Sequence, residues 1–132
     1  YPFNYLTRNS LYRVHSNYSS NPMMLELQDG LPRVWMNPDD AMAKGLAEGD
    51  EVDVFNDRGH VKGKLVLEPG LYPKQCIFEM GWWARYTGGS SYNTLIYPFI
   101  NPIHEIYFIG ATWSTNMAWN ECLCDVRKAG AQ

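Results

Sequence analysis

Along the middle of the chain, apolar and polar positions alternate in two different periods, and the change of period marks out the elements. Val34, Trp35 and Met36 form a short apolar run that stops at Asn37-Pro38-Asp39-Asp40. Asn37 is suited to cap free backbone N–H groups, Pro38 to occupy the first helical position, and the two aspartates to face the positive end of the helix dipole. A helix of about two turns is predicted through Ala41-Met42-Ala43, with Gly45 ending it in a left-handed conformation. After the turn at Ala47–Asp50 the period drops to two. Val52 and Val54 alternate with Glu51 and Asp53, Asn56-Asp57-Arg58-Gly59 is turn chemistry, and Val61–Leu67 alternates again until Pro69-Gly70. This predicts a β-hairpin with one packed and one wet face. Further strands are predicted at Tyr12–His15, Gln75–Met80 and Cys122–Arg127, giving a barrel or compact β structure with a short inserted helix.

Between Gly81 and about Asn120 the pattern dissolves. Ten aromatic side chains, from Trp82 to Trp119, are scattered among Gly, Ser, Asn, Thr and Pro. A long irregular segment of this kind in a small domain is expected to be an ordered functional loop or a surface wrapped on a partner.

Composition narrows the function classes. The chain has 132 residues, enough for one domain over 1–132 with its own core. With 11 basic and 14 acidic side chains the net charge is −3, which lacks the basic stripe of a nucleic-acid binder. Charged residues are 19% against 14% aromatics, so part of the surface is expected to be covered by something other than water. No apolar run reaches the ~18 residues of a membrane span, and no membrane insertion is expected. The chain begins at Tyr1 and shows no signal peptide, which reads as a piece of a longer protein whose compartment is not legible. Cys76, Cys122 and Cys124 show neither CxxC nor zinc spacing. They are expected to be small buried side chains rather than a disulfide framework. His15, His60 and His104 form no metal motif, and no GxSxG, P-loop or HExxH is present. Gly88-Gly89-Ser90-Ser91 is a weak anion nest at most.

The ordered series is more specific than any single motif. Leu11-Tyr12-Arg13-Val14-His15-Ser16-Asn17 is followed by WxNPxDA at Trp35–Ala41 and by GLxxGDxVxVFNDRG at Gly45–Gly59. The series resembles the C-terminal molybdopterin-dinucleotide-binding domain of the dimethyl sulfoxide reductase family of molybdenum and tungsten enzymes, from about Tyr5 to Lys128. Pro102-Ile103-His104 and Cys124–Lys128 look closer to its nitrate reductase and ethylbenzene dehydrogenase branch.

The resemblance implies a mainly β fold, a double-psi β-barrel with short inserted helices and long aromatic-rich loops. It implies a share in binding bis(molybdopterin guanine dinucleotide) carrying Mo or W. The domain would act as a lid on this cofactor, without turnover of its own. The metal's protein ligand and any iron–sulfur cysteines would lie in earlier domains. The implied partners are those domains and an iron–sulfur electron-transfer subunit, in bacterial or archaeal cytoplasm or periplasm. By the same resemblance Thr7, Asn9, Arg13, His15 and Ser16 run along one pterin and its phosphates, with Asn9 standing where a related histidine occurs. His15 could donate to the pterin and bias its redox state through its own protonation. Asn93 matches the Asn of an NxLT-like stretch for the second dinucleotide, although Ile96 replaces the Thr, and Asn120 sits at a further cofactor contact. Asn37 and Asp40, in the most recognisable string, are explained by helix capping alone. A domain of net −3 charge does not steer a pyrophosphate from afar, so insertion during assembly is expected, held by many short hydrogen bonds. Two other readings stand beside this one: a free-standing module binding a sugar or small polar ligand through Trp and Tyr, and a substrate-recognition barrel of the kind attached to ATPases.

Overall fold

The computed structural model describes residues 1–100, 115–117 and 122–130. Eight strands are described: β1 Phe3–Arg8, β2 Arg33–Met36, β3 Glu51–Asn56, β4 Gly59–Leu67, β5 Gln75–Glu79, β6 Pro98–Ile100, β7 Thr115–Met117 and β8 Cys122–Lys128. Six of them close into a barrel in the order β1-β5-β2-β4-β3-β8, and β6 and β7 pair separately. The barrel is mixed: β1 with β5 and β2 with β4 are parallel, and the other neighbours are antiparallel. A mainly β, six-stranded mixed closed barrel with short helices is the fold that the resemblance implied.

A barrel this narrow is filled by its own side chains. Inward positions alternate along each strand: Phe3 and Tyr5, Val34 and Met36, Val52 and Val54, Val61 and Leu65, Cys76 and Phe78, Cys122, Cys124 and Val126 are all buried in one cluster. Gly63 occupies the inward position between Val61 and Leu65 because the space is already taken. A Cβ there would lie 2.6 Å from Val34 Cγ2 and 2.9 Å from the Pro32 carbonyl. Leu95 and Ile96 join the same cluster, from the 3₁₀ turn Tyr92–Leu95 and the residue after it. The Tyr5 hydroxyl donates to the Tyr92 carbonyl at 3.0 Å and ties that turn to the barrel.

The hairpin forms as expected, with β3 against β4 from Glu51↔Lys64 to Asn56↔Gly59. Helix α2 covers Pro38–Ala43, capped by the Asn37 side chain, which accepts from the Asp39 N–H. Gly45 takes φ 68° just beyond it. Asn37 also donates to the Leu71 carbonyl at 2.8 Å, and Asp40 accepts from the Lys74 N–H at 2.6 Å. Asn37 thus caps the helix as expected, whereas Asp40, in the first turn, is held by the distant Lys74 through its N–H and its ammonium. Helix α1, Pro22–Glu26, was not read from the sequence, although Asn21 caps it through the Met23 N–H.

One predicted strand is corrected. Tyr12–His15 is a succession of turns, while the first barrel strand lies earlier, at Phe3–Arg8. The alternation there runs opposite to that of an apolar strand face: Arg13 is buried and Val14 is 65% exposed. His15 and Tyr18 take left-handed backbone (φ 49° and 60°), which no strand accommodates. Turn hydrogen bonds from Asn17 N–H to the Val14 carbonyl and Asn21 N–H to the Tyr18 carbonyl, both 3.0 Å, hold the segment instead.

Candidate functional site

Because β1 and β5 run parallel, with Arg8 beside Glu79, both end at one rim, and the segments that follow them leave from the same place. The Met80 N–H donates to the Arg8 carbonyl at 2.9 Å and extends that register by one residue. The turn-rich segment after β1 then meets the loop after β5 at Gly81. Gly81 has φ 85°, and a Cβ on it would overlap the His15 carbonyl. Ser19 fastens the same approach, its hydroxyl contacting the Ser16 carbonyl and donating to the Gly81 carbonyl at 3.3 Å.

A cleft of about 310 Å³ opens at this junction, lined by His15, Ser16, Gly81, Trp82, Trp83, Ala84, Ser91 and Tyr92. A second cleft of about 370 Å³ adjoins it, lined by Ser20, Trp83, Ala84 and Arg85. The two share Ala84 and Trp83, and Trp83 is 56% exposed.

Against the Trp82 wall of the first cleft lies an unusual group. Arg13 is 7% exposed, and none of its three guanidinium nitrogens has a hydrogen-bond partner. Its guanidinium stacks on the Trp82 ring at 4.0 Å, and the Trp82 N–H donates to the buried Glu79 carboxylate at 2.9 Å. Burial pushes the Arg13 pKa down, and the field of Glu79 partly opposes this. A buried guanidinium whose donors are unsatisfied is costly unless an acceptor-rich group meets it.

The seven sequence candidates distribute unevenly. His15 and Ser16 line the cleft, and Arg13 stacks on its Trp82 wall. Asn93 is exposed at the start of the 3₁₀ turn, next to the lining residues Ser91 and Tyr92, its N–H capped by the Ser91 hydroxyl at 3.2 Å. Thr7 is half-buried on β1 opposite Phe78, and Asn9 is exposed beyond the strand end; neither lines this cleft. Asn120 lies outside the described residues, as does His104. Sequence reasoning missed Glu79, Gly81 and Trp82. The available signal was a Gly-Trp-Trp immediately after a strand, where a glycine permits close backbone approach. Among the described residues no cluster of His, Cys, Asp and Glu could hold a metal ion.

The chain is thus a closed six-stranded mixed barrel with a cleft at one rim. The comparisons with known proteins make this specific. Residues 3–113 match the family described as "Molydopterin dinucleotide binding domain". Dimethylsulfide dehydrogenase subunit alpha of Rhodovulum sulfidophilum is 29% identical over 98% of this chain and 15% of its own length. The respiratory nitrate reductase subunit alpha of Haloferax mediterranei is 26% identical over 98% of this chain and 14% of its own length. Acetylene hydratase from Pelobacter acetylenicus shares the fold, with a TM-score of 0.72 at 13% identity, covering 97% of this chain and 18% of that one. The chain belongs to the molybdopterin dinucleotide-binding domain family, homologous to alpha subunits of the dimethyl sulfoxide reductase family. It spans less than a fifth of the length of each of these relatives.

Proposed function

We propose that this chain is one wall of the site for a bis(molybdopterin guanine dinucleotide) cofactor on Mo or W, within a larger oxidoreductase of the dimethyl sulfoxide reductase family. The preceding domains of the same enzyme cover the rim cleft and supply the metal's ligand, and an iron–sulfur subunit passes the electrons. The nitrate reductase and ethylbenzene dehydrogenase branch is the setting we propose within that family, and alpha subunits of a nitrate reductase and a dimethylsulfide dehydrogenase match along nearly the whole chain. When bound, the cofactor supplies the metal-centred redox chemistry.

The observation that carries this reading is Arg13. A pyranopterin dinucleotide presents phosphate oxygens and ring acceptors, which answer the three unpartnered guanidinium nitrogens. The residues present fit such a group in a second way, because Gly81 lets two backbone segments close up behind the cleft where a side chain would hold them apart. His15 and Ser16 add an imidazole and a hydroxyl on the same cleft wall. Thr7, Asn9, Asn93 and Asn120 extend the proposed contact line, with Asn93 beside the cleft at its 3₁₀ turn. The protein's part is to bind and orient: fixed donors on rigid turns, in a poorly hydrated interface.

The test is an Arg13→Met variant of the enzyme that carries this domain. GMP released by acid hydrolysis and molybdenum or tungsten per protein should both fall, with bound dinucleotide lost at least ten times faster on dialysis, the worth of one charge-assisted hydrogen bond. Unchanged dinucleotide content and retention in R13M would remove Arg13 from the site.

A further inference from the structure

The guanidinium of Arg13 is held by a stack, and the base of the stack is the buried carboxylate Glu79. Glu79 closes β5, is 3% exposed, and accepts the Trp82 indole N–H at 2.9 Å. That bond fixes the indole plane, and the plane carries the guanidinium at 4.0 Å. A second ring steadies the indole, with Tyr86 meeting it edge-on at 5.5 Å and 74°. Glu79 therefore meets two needs together. It satisfies a buried indole N–H, and it places a negative charge near Arg13 without consuming any of the guanidinium's own donors. A carboxylate bonded directly to Arg13 would have occupied up to two of its five N–H donors. With Glu79 bonded to the indole, all three nitrogens are left buried and without a partner in the chain.

We propose that Glu79 and Trp82 are positioning residues that hold Arg13 in a fixed plane, charged and with its donors free, toward an acceptor-rich anionic ligand at the rim cleft. This rests on the reading of Arg13 given under the proposed function. The physical reason is preorganisation. A long flexible cation that must be ordered on binding loses rotamer freedom, which weakens the complex. Stacking against a locked ring removes that freedom beforehand.

The experiment compares variants of the enzyme carrying this domain, reading the rate at which protein-bound GMP is lost on dialysis. Glu79→Leu should speed the loss about tenfold, while Glu79→Gln, which still offers an oxygen to the indole N–H, should stay within about threefold of the parent. Trp82→Phe keeps a ring under Arg13 but cannot donate to Glu79, and should fall between them. In the Arg13→Met background, Glu79→Leu should add less than twofold, because its effect acts through Arg13. An additive further tenfold loss in that background would make Glu79 merely structural and overturn the proposal. So would an E79L retention rate equal to the parent's when R13M loses the dinucleotide. If R13M itself retains it, the reading of Arg13 fails instead, and the two failures are told apart. Should E79L not fold, the E79Q and W82F comparison in both Arg13 backgrounds still decides.

Discussion

Gly81 shows most sharply how a single residue shapes the site. Its φ of 85° lies where side chains are rarely tolerated, and the position of a Cβ is taken by the His15 carbonyl. Gly81→Ala therefore has two costs, left-handed backbone at roughly 1–2 kcal/mol and displacement of the His15 segment. We expect at least about 2 kcal/mol lost in thermal or denaturant unfolding, together with weakened dinucleotide retention, since His15 and Ser16 line the cleft on that segment. A G81A protein with parental stability and retention would show that the close approach is dispensable. The same scale explains what was hidden in the sequence. Arg13 and His15 are named by the family pattern, but the burial of Arg13 follows from Trp82, far away along the chain. No local signal says that an arginine will be buried without partners.

At the scale of elements, the legible parts are those whose instructions are local. Asn37-Pro38 starts α2, and Asn56–Gly59 turns β3 into β4, each through side-chain caps a few residues away. Asn56 does more than turn the hairpin. Its Oδ1 accepts from the Arg58 N–H at 3.0 Å, while its Nδ2 donates to the Leu95 carbonyl at 2.9 Å and the Leu123 carbonyl at 3.1 Å. It thereby pins the hairpin to β8 and to the 3₁₀ turn beside the cleft. Asn56→Ala is expected to cost about 1–3 kcal/mol, from the loss of one half-buried and two exposed hydrogen bonds. Asn56→Asp, which keeps the turn acceptor but not the donor, should lose most of that too. Equal stability of N56D and the parent in urea unfolding would reduce Asn56 to a turn former. The misread strand at Tyr12–His15 failed at this scale, because four alternating residues carry no information about which face is inward.

Across the whole molecule, the barrel interior couples side chains from strands distant in sequence. Tyr5 on β1 sits opposite Cys76 on β5 and Cys122 on β8, all fully buried. Burial pushes the Tyr5 phenol well above its ordinary value. The Cys76 thiol is pushed well up by its hydrogen bond with Cys124 and then by burial. Both groups are acids held neutral by folding, so the folded state keeps protons that the unfolded chain releases. Their stability contribution is whole below the ordinary values, about 8.5 for Cys and 10 for Tyr, and is lost progressively as pH rises above them. Unfolding free energy should fall above about pH 8.5, by up to about 1.4 kcal/mol per pH unit for each such group. Cys76→Val should flatten the first part of that fall. A midpoint unchanged from pH 7 to pH 10 would contradict it.

The sequence by itself determined the family pattern, the capped helix and the hairpin, because caps, turns and alternation act over a few residues; of the site candidates it named, His15 and Ser16 line the cleft. Only the tertiary structure decided which rim the candidates share. The parallel pairing of β1 with β5 brings Arg13, Glu79 and Trp82 together across more than sixty positions of chain. Burial and charge pairing at that distance are properties of the closed barrel, and no short stretch of residues encodes them.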